Sequence, residues 1–154
     1  MRYGVAIDLG TSSYRAQKIN LDTREILRTA LTLKNPIPGA NVMNHVDFAI
    51  HYGQDLAHGL SINAVRNLIQ ALDLEIEELE RISLCGNPIH LSIFQGISIE
   101  DLAYAGERKK KKYNIQEQNR ESSKAMAGQC NAWSKVDALD DRKVSVRQNW
   151  TVPE

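Results

Sequence analysis

The residues best suited to do chemistry in this sequence lie in one short segment, Asp8-Leu9-Gly10-Thr11-Ser12-Ser13. An acidic side chain at the end of a buried strand can hold a hydrated Mg²⁺. Glycine lets the backbone approach an anion closely, and the N–H groups and hydroxyls that follow can contact phosphate oxygens. The segment is not a P-loop, because the pattern Gly-x-x-x-x-Gly-Lys-Ser/Thr is absent. A plain hairpin turn, in which Asp8 and Thr11 satisfy local backbone donors, is the alternative interpretation.

Three strands are predicted around this turn. The segment Tyr3–Leu9 is almost continuously apolar, as in a strand covered on both faces, whereas Tyr14–Leu21 alternates between a drier and a wetter face. A short polar turn then leads into a third strand, Ile26–Leu33. Two tight connections in succession predict an antiparallel meander. The prolines of Asn35–Gly39 predict a loop that leaves the sheet.

Helical periodicity resumes after this loop. Apolar residues at three- and four-residue spacing predict an amphipathic helix over Gln54–Leu72, although Gly59 weakens its first half. The short apolar run Ile82–Cys85 fits a buried strand, in which Cys85 is expected to be a small core residue.

Cap residues then predict two more helix starts. Asn87 is a good N-cap, and Gly96 suits the position just past a helix end, so Pro88–Gln95 is predicted to be helical. Ser98 and Asp101 have the spacing of a capping box that starts another helix. The predicted order is β-β-β-α-β-α, which is an α/β fold.

Composition limits the function classes that remain. The chain has 154 residues, 42% of them apolar, with 19 basic and 19 acidic side chains. A balanced charge argues against nucleic-acid or membrane binding by bulk electrostatics, and no apolar stretch is long enough to cross a membrane. Two cysteines cannot supply the four thiolates of an iron–sulfur cluster. We expect a cytoplasmic protein with one domain, 1–106, followed by a polar, poorly periodic and possibly disordered tail, 107–154.

An apolar strand that ends in Asp-x-Gly-Thr and is followed by two more strands resembles the opening of the actin-like ATPase superfamily. The longer resemblance is to the reductive activase of methylamine methyltransferase corrinoid proteins. It rests on four blocks: YGVAIDLGTS from Tyr3, NPIPGANVMNHVDFA from Asn35, CGNPI from Cys85 and DLAYAG from Asp101. The resemblance implies an actin-like, ribonuclease-H-like half-domain with a mixed sheet, in which an antiparallel three-strand meander precedes a helix, a strand and a helix.

This resemblance also implies a function. Such activases use ATP and Mg²⁺ to help return a Co(II) corrinoid, bound on a partner protein, to Co(I). Their electrons pass through an iron–sulfur cluster in a ferredoxin-like region that this chain lacks, as it lacks a second phosphate turn. We therefore expect this chain to be the amino-terminal part of such an activase. The resemblance ends near Gly106, and we expect the chain to be inactive alone.

The resemblance assigns roles to a few residues. Asp8 would act in catalysis by binding Mg²⁺, through water, while Gly10, Thr11 and Ser12 would contact the β- and γ-phosphates. Asn87 could face the nucleotide cleft, although a helix cap alone also explains it.

Other conspicuous residues have plainer interpretations. His45 and Asp47 fall in a predicted loop-and-turn region, where they could shape a cleft or a partner surface or serve loop structure only. The run Arg108–Lys112 could attract an acidic partner, or could be a solvated stretch at a domain edge. Trp133 and Trp150 stand isolated in polar surroundings.

Two other functions remain open from the sequence. An actin-like sugar or acid kinase would transfer phosphate to a small molecule instead of water. A non-catalytic interaction fragment would bind no nucleotide and would dock a partner with strong salt dependence.

Overall fold

A computed structural model describes residues 2–104, 106–118 and 144–146. The strands are β1 (Tyr3–Leu9), β2 (Tyr14–Asn20), β3 (Ile26–Leu31), β4 (Leu79–Gly86) and β5 (Val144–Val146). The helices are α1 (Val42–Tyr52), α2 (Gln54–Ala71), α3 (Pro88–Gln95), α4 (Glu100–Ala103) and α5 (Glu107–Tyr113), with a 3₁₀ turn at Ile76–Glu78.

The strands form one mixed sheet in the order β3-β2-β1-β4-β5. The pairs β1–β2 and β2–β3 are antiparallel, so the predicted meander is confirmed. The pairs β1–β4 and β4–β5 are parallel. Because β1 and β4 are parallel neighbours, their carboxyl ends meet at the same edge of the sheet, with Asp8 opposite Cys85 and Leu9 opposite Gly86.

The predicted strands are confirmed with small changes at their ends. β1 has the predicted bounds, β2 and β3 end one and two residues early, and β4 is longer than the run Ile82–Cys85. Alternate residues of β1 and β4 are buried against the helices. Around them a core is formed by Tyr3, Val5, Ile7, Leu9, Tyr14, Ala16, Ile62, Val65, Leu68, Leu72, Leu79, Ile82, Leu84, Leu91 and Phe94.

Helix α1 is the main element that the sequence interpretation missed. Its N-cap is Asn41, whose side chain accepts a hydrogen bond of 3.0 Å from the Asn44 N–H. The predicted loop-and-turn setting of His45 and Asp47 is therefore wrong, since both lie on this helix. Burial of Val46 and Ala49 against α2, α3 and Ile37 stabilises it.

Two other predicted helix starts are present in the structure. Asn87 caps α3 as predicted, because its side chain accepts a hydrogen bond of 2.9 Å from the His90 N–H. Gly96 ends the helix in the left-handed conformation. The helix start predicted at Ser98 is confirmed, because α4 begins at Glu100 and the Ser98 hydroxyl accepts a hydrogen bond of 3.4 Å from the Glu100 N–H. The Asp101 carboxylate also accepts a hydrogen bond of 2.9 Å from the Gln118 N–H.

Beyond Gly106 the structure describes two further elements, α5 and β5. The basic run lies on α5, where Lys110 pairs with Glu117 at 2.6 Å. The rest of the predicted tail, including Trp133 and Trp150, lies outside the described residues. The domain boundary at Gly106 stays a prediction.

Candidate functional site: a strand-end turn

The turn between β1 and β2 is closed tightly on itself. A Cβ atom added at Gly10 would lie 2.6 Å from the Ser13 carbonyl oxygen, which is closer than real Cβ contacts come. At the far end of the turn, the Tyr14 N–H donates to the Thr32 hydroxyl at 2.9 Å, and the Thr32 N–H donates to the Tyr14 carbonyl at 2.9 Å. Glycine is thus required at position 10 by close backbone approach.

The outer side of this turn offers groups that suit a charged ligand. Asp8 and Ser12 are exposed and Thr11 is half-buried. No described residue forms a hydrogen bond with the hydroxyl of Thr11 or Ser12. A carboxylate, two hydroxyls without partners in the described part and the backbone N–H groups of a tight turn form a set that can bind a phosphate together with a divalent cation.

Mg²⁺ fits the carboxylate at this turn. It usually keeps several waters and takes one or two protein carboxylates together with substrate phosphates, and Asp8 can supply one. Within the described residues, no group of three His, Cys, Asp or Glu side chains forms a closed metal site.

Cys85 lies beside Asp8 across the β1–β4 pairing. It is half-buried and not a core residue, so that prediction is wrong. Burial raises the pKa of the Cys85 thiol, and the negative charge of Asp8 and a hydrogen bond to Asp8 raise it further. The pKa of the Cys85 thiol therefore depends on the charge of Asp8.

Asn87 follows β4 directly, at the edge of the sheet that carries the turn. Its side-chain oxygen is used by the His90 N–H, so its capping role is confirmed. Contact of Asn87 with a nucleotide stays a prediction. Asp47 is exposed on α1, where its backbone carbonyl accepts a hydrogen bond from the His51 ring.

Buried polar groups support the inner side of the turn. The Tyr14 hydroxyl lies 3.0 Å from the Ser61 hydroxyl of α2, and burial raises the pKa of Tyr14 to about 12. The side-chain amide of Asn35 donates a hydrogen bond of 2.9 Å to the Gly10 carbonyl. Asn35 contacts His90 of α3, which in turn contacts His45 of α1.

Asn35, His90 and Ser61 were missed from the sequence as supports of the site. The available signals were weak: an Asn before a proline, and single polar residues inside apolar helical stretches. The structure brings Asp8, Gly10, Thr11, Ser12 and Asn87 to one edge of the sheet, and their roles as phosphate and metal ligands stay predictions. Within the described residues no helix is long and apolar enough to span a bilayer.

Comparison with known proteins places this architecture. The family model described as the RACo middle region matches residues 3–131. The chain belongs to this family. A "[Co(II) methylated amine-specific corrinoid protein] reductase" from Methanosarcina barkeri is 48% identical over 120 residues, which are 78% of this chain and 22% of that protein.

One solved structure shares the fold of this RACo-middle-region chain. A reductive activator for a corrinoid, iron–sulfur protein matches with a TM-score of 0.63 at 20% identity, covering 96% of this chain and 22% of that one. A Ppx/GppA phosphatase from Aquifex aeolicus overlaps with a TM-score of 0.38 at 11% identity, covering 97% of this chain and 36% of that one. The predicted α/β half-domain, with a mixed sheet in which an antiparallel three-strand meander precedes helices and a further strand, is confirmed. The chain spans about a fifth of the length of the reductase and of the activator.

Proposed function

We propose that this chain supplies the first phosphate-binding turn of an ATP-dependent reductive activase. The whole enzyme would help return the Co(II) corrinoid of a methylamine methyltransferase corrinoid protein to Co(I). One observation carries the proposal: an exposed Asp8 stands beside a tight, hydroxyl-bearing turn in a chain 48% identical to a Co(II) corrinoid protein reductase.

Each residue of the turn has a physical role in this proposal. Asp8 would hold Mg²⁺ through a water molecule, and Gly10 would let the backbone approach the phosphates. Thr11 and Ser12 would bind the β- and γ-phosphate oxygens through their N–H groups and hydroxyls. Mg²⁺, when bound, would neutralise phosphate charge during hydrolysis.

In this proposal the turn between β1 and β2 contacts one side of the phosphates. A second turn from another part of the enzyme would grip the opposite side, and closure around ATP would give the two conformations different affinities. We therefore expect this chain alone to bind Mg-ATP weakly and to hydrolyse essentially none. The iron–sulfur cluster expected from the family resemblance would belong to another part of the enzyme.

The partner would be the corrinoid protein that carries the cobalt. The 48% identity to a Co(II) corrinoid protein reductase, over 78% of this chain, favours this partner over the small metabolite of the sugar or acid kinase alternative. We infer that the coupling runs from nucleotide-driven closure to the partner's cobalt environment, with the turn as the nucleotide contact of this segment.

The proposal can be tested in a complete enzyme. We define the complete reductase as the Methanosarcina barkeri relative in which this chain replaces the matching segment. Asp8→Asn keeps the shape of the side chain and removes its charge. Asp47→Asn removes a charge from an exposed position on α1, outside the turn between β1 and β2, and is the matched control.

Two readouts are needed: Mg²⁺-dependent ATP hydrolysis, and the absorbance change that reports Co(II) to Co(I) conversion in the corrinoid protein. We expect Asp8→Asn to lower both by at least about a hundredfold with unchanged thermal unfolding, and Asp47→Asn to lower neither. Full activity of Asp8→Asn would contradict the proposal. Hydrolysis stimulated by a small hydroxylated metabolite, without cobalt reduction, would favour the kinase.

A further inference from the structure

Behind the turn lies a continuous row of buried polar side chains from three separate segments. Asn35 follows β3, His45 belongs to α1 and His90 belongs to α3. Their exposed fractions are 5%, 0% and 0%. The row runs from the Gly10 carbonyl to Asn35 at 2.9 Å, from His90 to His45 at 2.9 Å, and from His45 to the Gly39 carbonyl at 3.1 Å. We call these three side chains the relay.

The hydrogen bonds fix the direction of the relay. The Gly39 carbonyl can only accept, so the His45 Nε2 atom carries hydrogen, and in the neutral ring its Nδ1 atom accepts from the His90 Nε2–H. The Asn35 side-chain oxygen accepts from the Ile37 N–H at 2.9 Å, which directs its NH₂ group to the Gly10 carbonyl. The Asn35 amide nitrogen and the His90 Nε2 atom lie 3.3 Å apart. Because both atoms carry hydrogen in this arrangement, they are in contact without a hydrogen bond between them.

This arrangement leaves one polar atom of the relay without a hydrogen bond. The His90 Nδ1 atom is buried and has no partner among the described residues. A buried polar atom without a partner destabilises a fold by about 1–3 kcal/mol. The relay is therefore not explained by fold stability alone, since an apolar side chain at this position would avoid that cost.

The geometry of the peptide bond connects the relay to the outer side of the turn. No peptide bond in the described chain is cis. In a trans peptide, the carbonyl of one residue and the N–H of the next point in opposite directions. Because Asn35 holds the Gly10 carbonyl toward the interior, the Thr11 N–H must point away from Asn35, toward the open side of the turn.

We propose that Asn35, His90 and His45 are positioning residues that orient the Gly10–Thr11 peptide so that the Thr11 N–H faces the phosphates. This role rests on the proposed function of the turn. The relay also ties the turn to two helices, because the His90 backbone N–H caps onto Asn87 at 2.9 Å and His45 is anchored to Gly39. A shift of α1 or α3 would thus reach the turn through the contact of His90 with Asn35 and the hydrogen bond from Asn35 to Gly10.

The decisive variant is Asn35→Asp in the complete reductase. It keeps the acceptor used by the Ile37 N–H and replaces the donor to Gly10 with an acceptor, at nearly constant shape. Asn20→Asp is the matched control. Asn20 is also buried, at 8% exposure, and its oxygen accepts from the Asp22 and Thr23 N–H groups in the turn at the opposite end of β2.

Two readouts separate the relay from the proposed function. The first is hydrogen–deuterium exchange of the peptide that covers residues 10–13, and the second is the Kd for Mg-ATP. Asn35→Asp should accelerate exchange at this turn and weaken Mg-ATP binding about tenfold, as expected for the loss of one backbone contact to a charged ligand. Asn20→Asp should change neither.

A second pair of variants covers the case in which Asn35→Asp does not fold. His90→Gln keeps an N–H donor near the position of the imidazole Nε2 atom, whereas His90→Leu removes it. We expect His90→Gln to retain most of the exchange protection and affinity that His90→Leu loses. An equal loss of exchange protection and Mg-ATP affinity in both variants would overturn the proposal, because the hydrogen bond from His90 to His45 would then have no effect on the turn.

The other possible results of these experiments also distinguish the relay from the proposed function. Unchanged exchange at residues 10–13 in Asn35→Asp would overturn the relay, whatever the nucleotide does. Faster exchange with an unchanged Kd would show a purely structural role and would also overturn it. If the unmodified complete reductase binds no Mg-ATP, the proposed function fails first, while exchange still reports whether the relay orders the turn.

Discussion

Asp8 and Cys85 lie opposite one another on the parallel strands β1 and β4, so that the charge of the carboxylate raises the pKa of the thiol. This pairing places a reporter group beside the proposed Mg²⁺ ligand without adding any label. The thiolate is the reactive form of cysteine, and its population at a given pH follows the pKa.

We predict that Asp8→Asn lowers the pKa of Cys85, because the nearby negative charge that disfavours the thiolate is gone. Burial, the larger cause, remains, so the pKa stays above its ordinary value. The measurement is the rate of iodoacetamide alkylation across a pH series centred at about pH 8.5, in a Cys130→Ser background that leaves one thiol in the chain. Asp47→Asn is the control, and an unchanged pKa in Asp8→Asn would contradict the proximity.

Gly10→Ala should disrupt the turn. The new methyl group would stand 2.6 Å from the Ser13 carbonyl oxygen, so the backbone must open. We expect a loss of about 2 kcal/mol in the free energy of unfolding, together with loss of Mg-ATP binding in the complete reductase. Urea unfolding of the chain measures the first effect.

The control for Gly10→Ala is the same substitution at Gly59. A Cβ atom at Gly59 meets nothing within 4 Å on the exposed side of α2. Alanine there should stabilise the helix by about 1 kcal/mol, because glycine loses more backbone freedom on folding. Destabilisation at both positions would mean that the effect at Gly10 is not specific to the turn.

The sheet was predictable because its signals are local. β1 is a continuous apolar run, and the connections on either side of β2 are short, so pairing in a meander follows from the sequence. Asn87 and Gly96 mark the ends of α3 by their own conformational preferences. Ser98 marks the start of α4 in the same way, since its hydroxyl accepts from the Glu100 N–H, whereas the long-range bond from the Gln118 N–H to the Asp101 carboxylate could not be read from local sequence.

The support of the turn was not predictable in the same way. Asn35, His45 and His90 are separated by 10 and 45 positions, and only the packing of α1 and α3 brings them together. Helix α1 itself was missed because its apolar face is short and lies just after a proline-rich loop. Asn41, followed by Val42, Val46 and Ala49 at helical spacing, was the signal available.

The stability of the fold should fall with acid through His90. Burial, and then the charge of His45, lower the pKa of His90 to about 4 from an ordinary 6.5. Between pH 6.5 and pH 4, His90 is therefore protonated in the unfolded chain but neutral in the folded chain. The free energy of unfolding is unaffected by His90 above pH 6.5 and decreases as the pH falls toward 4. The full effect is about 3 kcal/mol.

The measurement for His90 is the difference in unfolding free energy between the unmodified chain and His90→Gln across this pH range. Gln does not titrate, so the difference should shrink or reverse toward low pH as the histidine chain loses stability. Carboxylates titrate in both proteins and largely cancel. A constant difference would show that His90 protonates as easily in the folded chain as in the unfolded one.

The Tyr14–Ser61 hydrogen bond should show an asymmetry between its two partners. The hydroxyl groups lie 3.0 Å apart in a buried position. In Tyr14→Phe, the Ser61 hydroxyl can rotate to the carbonyl four residues earlier in α2, whereas in Ser61→Ala the buried phenol loses the Ser61 hydroxyl as its partner. We expect Ser61→Ala to cost about 2 kcal/mol and Tyr14→Phe about 1 kcal/mol, with the double variant less destabilised than the sum. Additive losses in denaturant unfolding would mean that the two hydroxyls do not stabilise the fold as a pair.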